Sequence, residues 1–447
     1  MTAQFSLTDK HAPIHDEVLL GHITIVPGPF LDVIHDGGIM IRAGKIIQTG
    51  PTAILRKKFK DTPFIDAKSY IALPGLINSH THVAMGFFRG LGHGKENMIE
   101  SFLFPAEKSL TPELLEPLSY SYIYDGLRAG VTAFVDHYYF SAGIARAFEK
   151  FGVRGWVGET VADLGGAFPG VKSWERARDL IEKSSFSSLI RHVVAPHAAD
   201  TVSPKLLREC ADYARKNNLP LHMHLSQSPS ELERVKKRDQ LTPVALAERA
   251  EALGPNSLVV HLTSADHNDL KIIKKHGATI GYCPTSTVIY DRLANINSFY
   301  ALDIPLAIGT DCAASNDSAD CLAEIKIAAI LARNHGVDPG KLSPENLLAL
   351  ATTNPAHALG VSETMGSLEA GKCADIVLMK KSLSSMPSEN PLANVIYSMG
   401  SRDVSHVMVN GAWRLWSGTL PQSNESDLYE HYTSAVAEIR QRIKLTH

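Results

Sequence analysis

No run of apolar residues in the chain approaches the roughly 20 needed to cross a bilayer, so no membrane partner is expected. A basic excess is missing too: 44 lysines and arginines face 47 acidic residues, for a formal net charge of -3. That leaves no electrostatic footprint for nucleic acid. Cysteine is sparse, with Cys210, Cys283, Cys312, Cys321 and Cys373 scattered, odd in number and without CxxC spacing. A disulfide framework is therefore not expected, and a reducing cytoplasm suits the chain. The first residues lack the apolar core of a secretory signal, which supports the same location. What remains is a globular composition, 44% hydrophobic and 20% charged. Its 447 residues allow two or three domains, and its 20 histidines are plentiful.

Two of those histidines end the stretch Leu73-Pro74-Gly75-Leu76-Ile77-Asn78-Ser79-His80-Thr81-His82. In an extended segment, residues two apart share a face, so His80 and His82 aim at one point. Imidazole is a good ligand for zinc and similar metals.

Before this stretch, residues 19–72 read as short strands broken by Pro27-Gly28-Pro29, Gly37-Gly38 and an Ala43-Gly44 turn. The C-terminal part has the same texture, with a strand from Ala374 and an Asn410-Gly411 hairpin. Residues 1–72 and 366–420 are expected to form one composite β-sandwich, with residues 425–447 as a terminal helix. Between them, residues 73–365 alternate strands with helices. Strand candidates begin near Leu73, Val131, Arg154, His192, Leu219, Ser257, Ala278 and Pro305. Eight such units predict a parallel (β/α)8 barrel, with an open doubly wound sheet as the alternative. The barrel is preferred because the chemically interesting residues fall at C-terminal strand ends. Residues 84–110 make an unusually long connection and read as a lid or substrate loop.

Strand five ends His222-Met223-His224, strand six ends in His261, and strand eight ends Gly309-Thr310-Asp311. A carboxylate at the mouth of a buried strand is costly unless it is paired or bound to metal. His80, His82, His224 and Asp311 thus form a candidate three-His, one-carboxylate site, suited first to zinc and second to iron. Such a metal brings the pKa of bound water to roughly 7. Asp311 could accept the water's proton, and His261 could orient the attacking oxygen. Strand four ends Val194-Ala195-Pro196-His197 without a lysine to bridge a second metal, so one divalent ion per chain is expected.

These residues resemble the amidohydrolase superfamily, and within it the aminohydrolases of the adenosine, S-adenosylhomocysteine, guanine and triazine type. The resemblance rests on the Pro74 to His82 stretch, the His222-Met223-His224 strand end, and Gly309-Thr310-Asp311 with Ala314-Ser315-Asn316-Asp317. The run Gly366-Ser367-Leu368-Glu369-Ala370-Gly371-Lys372-Cys373-Ala374-Asp375 completes it. It implies a (β/α)8 barrel with a small β-sandwich and a metal-dependent hydrolase of non-peptide C–N bonds. The implied reaction is deamination of a small heteroaromatic substrate: a purine, pterin or triazine. His197 matches the proline-histidine stretch that lines such pockets, and the region from Phe87 to Glu107, with Phe88, matches the variable substrate loop. A homo-oligomer, dimer or tetramer, is expected. One departure stands out. The deaminases carry a proton-transferring glutamate three residues after the strand-five histidine, and here the position is Gln227. A neutral amide can hydrogen-bond but not exchange a proton. Glu159, at the end of strand three, is a candidate replacement. The alternatives are a triazine-type hydrolase that displaces chloride or an alkylamine, and a non-catalytic scaffold of the dihydropyrimidinase-related kind.

Overall fold

The computed structural model describes residues 4–9, 11–13, 16–95, 97–170, 172–290 and 293–443. The expected terminal segments 1–72 and 425–447 therefore include residues 1–3 and 444–447, which lie outside the described residues.

The organising stretch is not one strand. Tyr70–Pro74 belongs to a sheet built from both ends of the chain, and Leu76–Thr81 is the first barrel strand. Gly75 separates them, because a Cβ there would lie 2.1 Å from Thr132 Oγ1. Only glycine lets the chain pass so close to strand two.

The barrel strands that follow are Val131–Tyr138, Arg154–Val161, a fourth broken into Ile190–His192 and Ala195–Pro196, Leu221–Leu225, Ser257–His261, Thr279–Tyr282 and Leu306–Ile308. All pair in parallel, in two arcs, strands one to four and strands five to eight. Parallel bridges Val194↔Leu221 and Thr81↔Asp311 join the arcs into a closed barrel. This is the α/β barrel type expected from the alternating pattern.

Side chains alternate across each strand. Ile77, Ala133, Val135, Trp156, Val193, Ala195, Leu258 and Ala307 accordingly fill the barrel interior. The opposite faces pack under the surrounding helices in a second, larger core. Helix boundaries follow local chemistry. Asp266 caps His267–His276 with a capping box and Gly277 ends it at φ 69. Asp320 caps Cys321–Asn334.

The terminal sheet has nine strands, six from before the barrel and three from after it. Ile376–Lys380 pairs antiparallel with Tyr70–Pro74, which stitches the two ends together. The Ala43-Gly44 and Asn410-Gly411 turns both adopt positive φ, as tight hairpins require. A separate apolar core, including Leu20, Ile23, Ile376, Trp413 and Trp416, sits beneath this sheet. One element departs from the strand reading of residues 19–72: Thr52–Lys58 is a helix. Only Thr52 and Leu55 of it are buried, so its seven residues carry too little periodicity to announce it. Sheet and barrel share a buried ion pair. Arg154 holds both carboxylate oxygens of Asp375, at 2.7 and 3.0 Å. The terminal helix runs Glu425–Arg442.

Candidate active site

At the C-terminal mouth of the barrel the strands end in histidines. His80 is fully buried, and His82, His224 and His261 are each no more than 9% exposed. The Nδ1–H of His82 donates to the backbone carbonyl of His137, and that of His224 to the carbonyl of His197 at 2.9 Å. A carbonyl only accepts, so each ring's Nε2 carries a lone pair. Those two Nε2 atoms face each other at 3.3 Å. Two lone pairs in a dry site repel unless a proton or a cation lies between them. Burial and the neighbouring His80 push the His82 pKa down to about 3, which disfavours the proton. The Nε2 of His80 and both nitrogens of His261 have no partner within hydrogen-bond distance in the protein.

Asp311 completes the cluster. Its carboxylate lies 3.6 Å from His80 Nε2, 3.5 Å from His82 Nε2 and 4.0 Å from His261 Nε2. These are charge-to-dipole distances, longer than hydrogen bonds. Burial pushes the carboxyl up, but His80, His261 and His82 outweigh it and hold Asp311 well below the usual carboxylate range. Ser286 Oγ donates at 2.6 Å to Oδ2, the oxygen nearer His261, while His80 and His82 face Oδ1. Ligand atoms converge in two groups, His80–His224–His261 and His80–His82–Asp311, each within 4.8 Å. Four imidazoles and a carboxylate are the donor set of a divalent transition metal. The mouth is a His-rich metal site.

The backbone here is strained at two of these residues. His261 and Asp311 have φ of 79° and 63°. Non-glycine residues hold such angles where surrounding structure over-determines them. Asp311 lies beyond strand eight, whose regular pairing ends at Ile308. Its position comes from across the barrel seam instead. Asp311 N–H donates to His80 O at 3.0 Å. Asn78 donates to Thr310 Oγ1 at 2.7 Å and accepts from Thr310 N–H at 3.1 Å. Tyr122 OH is 2.9 Å from Thr310 Oγ1, 3.0 Å from Asp311 O and 2.8 Å from Ser318 O. Gly309 permits the approach, since a Cβ there would be 2.8 Å from His80 Cβ.

The remaining expected residues scatter. His197 sits at the mouth, with ring centroid 5.0 Å from that of His224 and Nδ1 2.8 Å from Thr201 Oγ1. Burial lowers its pKa to about 4. Gln227 is half-buried at the strand-five end. Its N–H donates to Glu231 at 2.6 Å and its carbonyl accepts from Thr263. Two expectations need correction. Glu159 is buried, not poised at the mouth: it accepts from Ser141 N–H at 2.8 Å and from Arg176 at 2.9 Å. A carboxylate occupied by a guanidinium is a poor proton carrier. Phe88 is fully buried, its ring 4.0 Å from Phe87 and 5.4 Å from Phe102. It serves the loop's own core.

One carboxyl group stands out only in the structure. Glu107 ends the short helix Phe104–Glu107 in the long connection after strand one and is 4% exposed. Tyr138 OH donates to it at 2.8 Å. Burial raises its pKa to about 7, so it holds a proton part of the time at neutral pH. The Phe104 ring, in the same turn, lies 5.9 Å from His197.

Residues 71–414 match the model of the amidohydrolase family. The chain belongs to that family. It is 33% identical over 400 residues to the 5-methylthioadenosine/S-adenosylhomocysteine deaminase of Syntrophobacter fumaroxidans, covering 88% of this chain and 91% of that one. It is 32% identical over 369 residues to the 5'-deoxyadenosine deaminase of Methanosphaera stadtmanae, covering 81% of this chain and 86% of that one. Among solved structures it resembles a zinc-bound adenosine deaminase from Xanthomonas campestris, with TM-score 0.89 and 26% identity. That match covers 95% of this chain and 99% of the other. This member of the amidohydrolase family is therefore an enzyme, and its relatives are hydrolytic deaminases.

Proposed function

We propose that this amidohydrolase deaminates an amino-substituted purine or a related heteroaromatic ring. The observation that carries the reading is the pair of opposed lone pairs on His82 and His224 beside the Asp311 carboxylate, in a chain whose relatives are adenine-nucleoside deaminases. His80, His82, His224 and Asp311 would hold one divalent metal, with zinc preferred. When bound, such an ion supplies Lewis acidity and brings the pKa of water to roughly 7. The protein's own groups do the rest. Asp311, held as a carboxylate, accepts a proton from the attacking water. His261, 4.0 Å from Asp311, hydrogen-bonds the oxygen that adds to the ring carbon. His197 and the Gln227 amide orient the ring. The C–N bond to the exocyclic amine breaks as the proton held by Asp311 passes to the departing nitrogen, so ammonia leaves, Asp311 is a carboxylate again, and the water's second proton stays with the hydroxylated ring.

Gln227 favours a second reading, displacement of another leaving group from a triazine-like ring. Where the leaving group needs no proton at a ring nitrogen, an amide suffices. Ammonia release from 5'-methylthioadenosine, adenosine, guanine and melamine, set against chloride or alkylamine release from triazines, decides between the two. Elemental analysis should give one metal per chain, and two per chain would refute the mononuclear site.

The setting we propose is a cytoplasmic homo-oligomer, in keeping with five free thiols. No helix among the described residues is long and apolar enough to cross a membrane. We also propose that residues 1–72 and 366–420 act as one sandwich domain on the barrel. The shared sheet and its own core support this.

A further inference from the structure

His137 lies at the end of barrel strand two and is 1% exposed. Ala133 and Val135, four and two residues before it, fill the barrel interior, so His137 points inward one layer above them. Its ring centroid is 4.9 Å from that of His224, 5.5 Å from His222, 5.9 Å from His197 and 6.1 Å from His82. It therefore forms part of the floor of the site. Neither Nδ1 nor Nε2 has a hydrogen-bond partner in the protein.

A structural histidine looks different in this molecule. His406, just as buried in the terminal sheet, gives its Nε2–H to the carbonyl of Leu7 at 3.0 Å and packs on Trp416 at 4.6 Å. Nor is His137 one of the convergent ligands, since both convergent groups omit it. Its backbone carbonyl already positions His82, a task the imidazole is not needed for. A buried ring with two unmade hydrogen bonds is costly unless a ligand supplies a partner.

We propose that His137 is a specificity-determining residue that hydrogen-bonds a ring nitrogen or ring N–H of the heteroaromatic substrate, beside His197. Being able to donate from one nitrogen and accept at the other, a neutral imidazole can match either kind of ring atom. The inference rests on the deaminase reading for the identity of the ring. Sequence patterning passed over His137 because it stands alone in Asp136-His137-Tyr138, outside any ligand spacing.

The test compares wild-type holoenzyme with His137→Phe, which keeps a ring of similar size, and His137→Gln, which keeps a polar head. The probes are 5'-methylthioadenosine, adenosine and guanine. For the best of these, His137→Phe should lower kcat/KM at least tenfold, chiefly through KM, with full metal content. His137→Gln should recover part of the loss. An unchanged KM in metal-replete His137→Phe overturns the proposal, as does loss of the metal, which would make His137 a support of the ligands. If wild type releases no ammonia from any probe, the deaminase reading fails on its own. Calorimetric binding of the same three rings then decides. Binding weakened at least tenfold by His137→Phe sustains the subsite, whereas equal binding, or none by wild type, removes it.

Discussion

The two joins that close the barrel are made by different kinds of group. Between strands four and five the backbone does the work. Val194 N–H donates to Pro220 O and His222 N–H to Val194 O, both at 2.9 Å, and His224 N–H reaches His197 O at 3.0 Å. Between strands eight and one the lower part is wedged apart: Ile77 and Ile308 donate instead to Ala351 and Leu350, at 2.8 and 2.7 Å. Closure there falls to the upper end, where one backbone bond, Asp311 N–H to His80 O, is reinforced by side-chain bonds between Asn78 and Thr310, with Tyr122 bracing Thr310 from a helix. Both joins end in metal-site residues. The difference is that the first rests on three backbone bonds, while the second has one and leans on side chains for the rest.

Substitutions should expose that asymmetry. Asp311→Ala removes the carboxylate proposed as ligand and proton acceptor at the side-chain join. Turnover should fall by about 10²–10⁴-fold, and survival of more than a few per cent of activity would show that strand eight contributes no catalytic group. Asn78→Leu keeps the volume but leaves Thr310 N–H and Oγ1 without their partner across the join. Unfolding free energy should drop by about 1–3 kcal/mol and metal affinity by about 10–100-fold, read by denaturant titration and chelator competition. Equal metal affinity in the variant would mean that the join does not support the ligands.

Gln227 lies at the top of strand five, next to the backbone-made join. Gln227→Ala should raise KM by the equivalent of about 1–3 kcal/mol if the amide meets the ring. Gln227→Glu should create or raise aminopurine deamination if only the carboxylate is missing. Steady-state kinetics on the purine and triazine panel separates these outcomes, and unchanged kinetics in both variants would remove Gln227 from the pocket. The smallest effect belongs to Thr201→Val, which deletes the 2.8 Å partner of His197 Nδ1. Because the backbone still holds that join, stability should change by about 0.5–1.5 kcal/mol, with metal content intact. A loss of metal comparable to that of Asn78→Leu would erase the contrast between the joins.

The barrel and the metal cluster were legible in the sequence because each leaves a short-range mark. An apolar strand ending in His, or in Gly-Thr-Asp, needs no knowledge of its partner. Asn78 was not legible: its partner Thr310 is 232 residues away, and alone it reads as one polar residue in a strand. Glu159 was misjudged for a related reason. Its strand-end position matches that of a catalytic group, and only the fold shows Arg176 and Ser141 already claiming it. Phe88 is an aromatic in the long connection after strand one, and periodicity cannot tell a pocket wall from the loop's own packing. Glu107 and His137 gain their interest from burial, which spacing does not encode.

The side-chain join also sets an order of events during synthesis. His80 and His82 leave the ribosome long before Asp311, and the tie between Asn78 and Thr310 spans 232 residues. In a bare chain, closing such a loop costs roughly 5 kcal/mol of entropy, and the cost is met only once the intervening strands have paired. A growing chain therefore displays an imidazole pair without its carboxylate and can hold an ion only loosely. Emergence of strand eight is the step that completes the donor set.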